Sequence, residues 1–253
     1  MSGTIILIDG PAGCGKTTFA CGVPEPRALL ETDPDGSRWL REHFAEYSND
    51  RSLDGAKKQL LAWADMPLAK VASIVVDTWS YFWQLVVQHV MDDNERKQNY
   101  STSNTYKAWG PAKMSIRRLH DQLVRAKRAG KHVLLVGHTK EKTTQNEDKT
   151  VVREGLVHTG EAFLNDILDV GLRMFIDYKK DTRRIEAWKC RPQREFKPLI
   201  VGSMEVPRYE SQTMYAKVLA MIGEAPESNA VTDSAAEDAS ALNAMKQAAT
   251  GGR

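Results

Sequence analysis

The chain has 253 residues, of which 42% are apolar, and a formal net charge of +2, which suffices for one sizeable α/β domain or for one domain and a tail. No apolar run reaches the roughly 18 residues of a membrane span, and the opening MSGTIILIDG lacks the basic region of a secretory signal. Three cysteines without metal-ligand spacing are typical of a reducing compartment. We therefore expect a cytoplasmic protein without disulfides, structural zinc or a membrane partner.

Strand and helix patterns alternate along the chain. They predict strands at residues 4–9 and 27–33, a helix at 54–64, a strand at 71–78, a helix through Gln88, a helix at 112–129 and a strand at 131–138. Hairpins are predicted at 140–158 and from the runs VGLRMFIDYKK and RRIEAWKCR. Apolar, β-branched strands separated by helices are typical of an α/β fold with a mainly parallel twisted sheet flanked by helices.

Charge and composition change near the end of the chain. Residues 224–253 carry five acids and two bases among alanine, serine and asparagine, with almost nothing apolar to bury. Such a segment cannot offset the entropy of ordering, so it is expected to be disordered. We therefore predict a core domain over residues 1–223 and a flexible, acidic, alanine-rich tail over residues 224–253.

The most specific motif is GPAGCGKTT, which follows the first predicted strand and opens the first helix. Its spacing matches the phosphate-binding loop of nucleoside triphosphatases, in which backbone N–H groups and a helix N-terminus face the phosphates. The lysine reaches the β- and γ-phosphates, and the next hydroxyl binds Mg²⁺. We therefore predict that ATP and Mg²⁺ bind at Gly10, Pro11, Ala12, Gly13, Cys14, Gly15, Lys16, Thr17 and Thr18.

Asp77 ends the apolar run SIVVD. An acid at the carboxyl end of a buried strand lies where open α/β sheets bind ligands, and there it can hold Mg²⁺. The alternative is an ordinary aspartate that caps the following helix. The phosphate loop upstream favours the metal, with Thr17 and Asp77 as its protein partners.

Two acids close the second predicted strand, in LLETDPDG. Hydrolysis needs a carboxylate that orients water near the γ-phosphate. Because side chains alternate along a strand, Glu31 and Asp33 face the same side, and either could be this base. The alternative is a helix N-cap at Asp33 or Asp35.

His138 ends the strand HVLLVGH. A polar residue at this tip could contact the γ-phosphate and respond to its presence, and Thr139 could play the same part. The alternative is a surface histidine whose hydrogen bonds are satisfied by its surroundings.

Lys189 and Arg191 are two residues apart on a predicted strand and so point the same way. Paired cations suit contact with a phosphate, including one in a neighbouring subunit. Spacing alone favours the alternative, an edge strand whose cations keep it solvated.

Cations and aromatic residues lie together in the middle of the chain. Residues 112–131 carry seven Lys or Arg and a single acid, and Tyr100, Tyr106 and Trp109 precede them. Phosphates meet charge and bases stack on rings where proteins bind single-stranded nucleic acid. A solvated helix face beside core aromatics explains the same composition equally well.

In order, these motifs resemble the RecA-type core ATPases, in particular the compact RecA-like proteins of phage genomes used in recombination and single-strand annealing. GPAGCGKTT is similar to the first nucleotide motif of that family, and SIVVDTWSYF to the second. LLETD falls where the family has its catalytic glutamate, and LLVGH where it has a γ-phosphate sensor. KCR resembles the Lys-x-Arg pair that enters the nucleotide site of a neighbouring subunit. The resemblance spans roughly residues 3–222.

The resemblance implies a RecA-like P-loop core and a homo-oligomer, ring or filament, with nucleotide between subunits. It makes Glu31 or Asp33, His138, Lys189 and Arg191 the catalytic group. It also implies that residues 92–110 and 140–158 face DNA, and that the protein works in a bacterial or phage-infected cytoplasm. A histidine stands here where the family sensor is usually glutamine.

The function expected from these observations is DNA-stimulated ATP hydrolysis by an oligomer on single-stranded DNA, in recombination or annealing. A single-strand-binding protein is a possible partner of the tail. The alternatives are a helicase loader or other replication ATPase, whose partner is a protein, and a small-molecule kinase with the same loop. A kinase needs an arginine-bearing lid, and the basic segment here is more typical of a nucleic-acid track.

Overall fold

The computed structural model describes residues 3–33, 38–96, 105–145, 151–158, 164–177, 179, 182–190, 203–207 and 214–221. The predicted tail, residues 224–253, lies outside these ranges. Arg191, half of the predicted cation pair, also lies outside them.

A single large sheet forms the centre of the described core. Its strands are β1 (Ile5–Asp9), β2 (Arg27–Glu31), β3 (Glu46–Ser48), β4 (Ser73–Asp77), β5 (His132–Val136), β8 (Val170–Asp177), β9 (Thr182–Cys190) and β10 (Ser203–Pro207). Their order is β10-β9-β8-β1-β5-β4-β2-β3. The pairs from β8 to β3 are parallel, whereas β8, β9 and β10 pair antiparallel. The mainly parallel sheet with a C-terminal antiparallel hairpin is confirmed.

Helices cover both faces of this sheet. They are α1 (Lys16–Ala20), α2 (Leu53–Asp65), α3 (Trp79–Arg96), α4 (Thr105–Arg128), α5 (Leu164–Ile167) and α6 (Met214–Met221), with a 3₁₀ helix at Arg38–His43. Strand β1 shows why: Ile5 and Leu7 pack into one core with α2, α3 and α4, whereas Ile6 and Ile8 pack into another with α1 and α6. A strand buried on both sides explains the unbroken apolar run IILI. The fold is a mainly parallel α/β sheet with the phosphate loop between β1 and α1.

One predicted segment differs from what forms, and one forms as predicted. The polar stretch expected as a DNA-facing loop at residues 92–110 is partly helical, because α3 continues to Arg96 and α4 already begins at Thr105. Residues 97–104 between them lie outside the described ranges. The hairpin expected at 140–158 forms as β6 (Thr139–Gln145) and β7 (Val151–His158), a separate antiparallel pair outside the main sheet.

Within the described ranges, no helix combines the length and the apolar character needed to cross a bilayer.

Candidate nucleotide-binding site

The strand order brings the predicted site residues to one edge of the sheet. Strands β1, β5, β4 and β2 are parallel neighbours in that order, so their carboxyl ends lie side by side. The phosphate loop follows β1, His138 follows β5, and Asp77 and Glu31 end β4 and β2. Strand spacing of about 4.8 Å puts the ends of β1 and β4 about 10 Å apart. Strand β5 lies between them and leaves room at its tip for a ligand.

The backbone of the loop at residues 10–15 has the conformation that its glycines permit. Gly13 and Gly15 have φ angles of 74° and 99°, in the left-handed region that L side chains rarely adopt. Gly10 approaches β8 so closely that a Cβ atom there would lie 2.4 Å from the Met174 carbonyl oxygen. The three glycines of the motif are therefore required by the local backbone.

Lys16 is buried and turns back over the loop. Its Nζ donates to the carbonyl oxygens of Gly10 at 3.0 Å and Pro11 at 2.7 Å. The ammonium group thus lies inside the curve of the loop, as the predicted phosphate contact requires.

Thr17 and Asp77 are in direct contact across the site. The Thr17 hydroxyl donates to Asp77 Oδ2 at 2.8 Å, from the first turn of α1 to the end of β4. Hydroxyl and carboxylate oxygens are the hard ligands that Mg²⁺ takes beside substrate phosphates. No group of three or more His, Cys, Asp or Glu side chains that could hold a metal is found within the described ranges. The pair fits a Mg²⁺ ion that is shared with a nucleotide.

Burial raises the pKa of Asp77 to about 6 from 3.8. The Thr17 hydrogen bond and the Lys16 charge oppose this rise, whereas the charges of Asp33 and Glu31 add to it. A buried carboxylate next to two other acids is costly to ionise without a cation. A cation bound beside Asp77 would lower this pKa.

This pKa predicts a stability effect. Between about pH 4 and pH 6 the folded protein binds more protons at Asp77 than the unfolded chain does. The contribution of Asp77 to the free energy of unfolding is therefore fully present below pH 4 and is lost as pH rises through 6. Asp77→Asn removes the buried charge while its amide oxygen can still accept from Thr17. We expect this substitution to stabilise the nucleotide-free protein by about 2 kcal/mol at pH 8. The free energy of unfolding should also change less between pH 4 and pH 6 than it does in the wild type.

Urea unfolding at pH 5 and pH 8 measures this difference. Asp65→Asn is the matched control, because the Asp65 side chain is half-exposed in a surface ion pair with Arg125. Lower stability of Asp77→Asn than of wild type at pH 8 would contradict the account of a costly buried charge.

Glu31 faces the same site from β2. It is paired with Asp77 in the strand register, and both side chains lie on the face of the sheet that packs against α1. Its Oε2 accepts a hydrogen bond from the Tyr47 hydroxyl, whereas its buried Oε1 has no partner among the described residues. A buried carboxylate oxygen without a donor is costly, so its position is typical of a group that waits for a ligand.

Asp33 lies two residues beyond Glu31, and its side chain is partly buried. Its charge reaches both Asp77 and His138, whose pKa values it raises. The alternative of a helix cap at Asp35 lies outside the described ranges, as do residues 34, 36 and 37, which separate Asp33 from the 3₁₀ helix at Arg38–His43. Both acids are thus near the site, but Glu31 is the one with an unpaired, buried oxygen.

His138 is half-buried at the tip of β5, and its backbone N–H donates to the Ser80 hydroxyl at 2.9 Å. Burial lowers the pKa of its imidazole, the charge of Lys16 lowers it further, and Asp33 opposes them. This shift favours the neutral ring, which can donate from one nitrogen and accept at the other. The alternative of a surface histidine with satisfied hydrogen bonds remains open at this half-buried position.

Comparison with known proteins adds the family. A family model described as an AAA domain matches residues 2–195, more than three-quarters of the chain. The chain belongs to the AAA domain family. Among solved structures, a crystal structure of the RadB recombinase is similar, with a TM-score of 0.48 and 14% sequence identity over 81% of this chain and 86% of that chain. No match was found among curated proteins.

Family membership and the strand–loop–helix geometry at residues 5–20 together make this an AAA domain with a P-loop nucleotide-binding site. The site residues above lie where such a domain binds nucleotide and, as a rule, Mg²⁺.

Lys189 lies at the opposite edge of the sheet. Strand β9 begins beside the end of β8, at the edge of the sheet that carries the phosphate loop. Because β9 runs antiparallel to β8, Lys189 lies beside the start of β8. Six residues separate Arg183 from Lys189, a span of about 20 Å in an extended strand. The Lys189 amino group donates to the Asn165 carbonyl of α5. Lys189 therefore cannot serve the nucleotide site of its own AAA domain.

Part of the basic track expected on α4 and just after it is used inside the AAA domain. Lys127 pairs with Asp169 at 2.5 Å and Arg125 with Asp65 at 2.7 Å. Lys131 is buried, and its Nζ donates to the carbonyls of Met66 and Val71. These three cations stabilise the packing of α4, so the count of basic residues overstates the charge available to a partner.

Several residues of the site were not predicted. Thr32 links the ends of β2 and β4: its N–H donates to the Asp77 carbonyl and its hydroxyl to the Thr78 carbonyl. Arg173 of β8 holds the buried Asp9 through two hydrogen bonds of 2.7 and 2.9 Å just before the loop. Tyr47, Ser80 and Arg183 of β9 are three further residues of the site that were not predicted. Among these residues, Asp9 alone could have been recognised from the sequence, because it is a charged residue at the end of an apolar strand.

Proposed function

We propose that this protein hydrolyses ATP with Glu31 as the general base and works as an oligomer on single-stranded DNA, in recombination or annealing of the phage type. The observation that supports hydrolysis most directly is the unpaired Oε1 of Glu31 beside the Thr17–Asp77 pair. A carboxylate in this position can accept a proton from attacking water.

Each residue then has a distinct task. The loop N–H groups and Lys16 bind the phosphates, and Thr17 and Asp77 hold the metal. Bound Mg²⁺ neutralises charge on the phosphates. Glu31 orients water, with Tyr47 fixing its other oxygen, and Asp33 remains the second candidate for the base. His138 contacts the γ-phosphate from the tip of β5.

The position of β6 supports coupling between nucleotide and partner. Strand β6 begins at Thr139, directly after His138, and the β6–β7 pair stands apart from the main sheet. A change at His138 on loss of the γ-phosphate is therefore passed to this hairpin without an intervening loop. We place the DNA contact on this hairpin and on residues 97–104.

The position of Lys189 supports an oligomer. Lys189 lies about 20 Å of extended strand from the loop of its own subunit, so a catalytic role for it would be in a neighbouring molecule. With Arg191, it completes the nucleotide site of the neighbouring subunit, where such cations stabilise charge in the transition state. The subunits then form a ring or a filament.

The internal use of the α4 cations favours one second candidate, a helicase loader or other replication ATPase. Such a protein needs a protein partner rather than a continuous basic surface. The two candidates share the ATPase site and differ in what stimulates it.

Steady-state ATP hydrolysis with and without single-stranded DNA, at 50 and 200 mM salt, separates them. We expect DNA to raise the rate, and the stimulation to fall at the higher salt because phosphate contacts release counterions. Lys16→Ala measures contaminating ATPase, and double-stranded DNA tests preference for single strands. A rate that is indifferent to DNA at both salts would favour the loader, and co-purification with a helicase would then be the decisive test.

A further inference from the structure

Arg183 is a buried cation that the function above does not use. It lies on β9, its exposed fraction is 8%, and its side chain points to the face of the sheet that carries α1. The next residue, Arg184, faces the other way, is half-exposed and pairs with Glu186 at 2.9 Å. Burial of a guanidinium needs compensating hydrogen bonds, so its partners indicate its task.

The partner of Arg183 is the backbone of the phosphate loop. Its Nε donates to the carbonyl oxygen of Cys14. Its guanidinium also packs against Gly15, where a Cβ atom would lie 2.5 Å from Nε and 3.1 Å from Cζ. The glycine at position 15 is thus required twice, by its φ of 99° and by the contact with Arg183.

The geometry of the peptide bond connects this contact to the phosphates. The Cys14 carbonyl and the Gly15 N–H belong to one planar trans peptide, so they point in opposite directions. A carbonyl held towards β9 directs the N–H away from β9. Loop N–H groups are the donors to phosphate oxygens in such sites, and a charged partner on the carbonyl polarises the N–H further.

We propose that Arg183 is a positioning residue for nucleotide binding, which orients the peptide between Cys14 and Gly15 so that its N–H faces the phosphates. The C-terminal hairpin is then part of the nucleotide site, although it lies more than 160 residues from the loop in sequence. The inference concerns phosphate binding and does not depend on the DNA or the oligomer of the proposed function.

Three variants test it: Arg183→Met removes charge and donor, Arg183→Gln keeps a donor, and Arg184→Met is the matched control on the other face. Titration with a fluorescent ADP gives the Kd, and displacement by inorganic pyrophosphate tests the phosphates alone. Thermal unfolding without nucleotide reports the structural effect of each change. Wild type sets the upper limit of the affinity for nucleotide, and Lys16→Ala sets the lower limit.

Arg183→Met should weaken ADP and pyrophosphate equally, by about tenfold, as for loss of a charged hydrogen bond. Arg183→Gln should recover part of the affinity, and Arg184→Met should stay within about twofold of wild type. A lower Tm with unchanged affinities would overturn the proposal and leave Arg183 a structural residue. Loss of ADP binding with normal pyrophosphate binding would also overturn it, in favour of a contact with the nucleoside. If Arg183→Met does not fold, Arg183→Gln decides by the same criteria, and failure of wild type to bind ADP would refute the ATPase assignment instead.

Discussion

Glu31→Gln is expected to reduce the rate of ATP hydrolysis at least 100-fold while the affinity for ATP stays within about twofold of wild type. Gln keeps the size of the side chain and an oxygen that can accept from Tyr47, but it cannot take a proton from water. The buried Oε1 of Glu31 has no partner among the described residues, so the substitution breaks no mapped hydrogen bond at that atom. Loss of hydrolysis without loss of binding therefore isolates the chemical step.

Single-turnover hydrolysis and fluorescent-nucleotide titration make the two measurements. Asp33→Asn is the matched control, since it removes the second acid of the pair, and we expect it to change the rate by less than about tenfold. If Asp33→Asn abolishes hydrolysis while Glu31→Gln retains it, the base is Asp33. Tyr47→Phe adds a graded test, because it frees the oxygen that Tyr47 holds and should lower the rate by a smaller factor.

Local sequence patterns predicted the parts of the site that depend on local geometry. The glycines of the loop follow from backbone conformation, and Lys16, Thr17 and Asp77 follow from their positions at the ends of apolar strands. Alternation along a strand placed Glu31 in register with Asp77, on the face of β2 that packs against α1. Each of these features is fixed within about ten residues of chain, which is the range over which such patterns carry information.

The features that were missed depend on contacts between distant segments. The order of the strands decides that β5 lies between β1 and β4, and no single strand encodes its neighbour. Lys127 and Asp169 are 42 residues apart, so composition alone read a buried ion pair as free surface charge. Tyr47 and Arg183 reach the site from an edge strand and from the hairpin for the same reason.

The position of Lys189 makes a mixed oligomer the strongest test of assembly. We expect Lys16→Ala to abolish hydrolysis because the phosphates lose their lysine, and the double variant Lys189→Ala, Arg191→Ala to lower it 10³-fold or more, as for loss of a trans arginine. The first variant has a dead site but intact cations, whereas the second has an intact site but no cations to offer. Each should be inactive alone.

Co-expression of the two variants with different tags, and purification through both tags, yields mixed oligomers. An intact site then meets intact cations at about one interface in four for random head-to-tail assembly, so activity should return to about a quarter of the wild-type rate. Lys179→Ala is the control, because this exposed lysine lies at the other end of the hairpin and should leave the rate unchanged.

Restored activity requires that Lys189 and Arg191 act in a neighbouring site, since neither protein can repair itself. Mixed oligomers that stay inactive, when wild type mixed with either variant is active, would show that these cations have no role in trans. Activity of the double variant alone would show that they have no catalytic role at all. The 20 Å between Lys189 and its own phosphate loop, about six residues of extended β9, is too far for Lys189 to contact the phosphates within its own subunit.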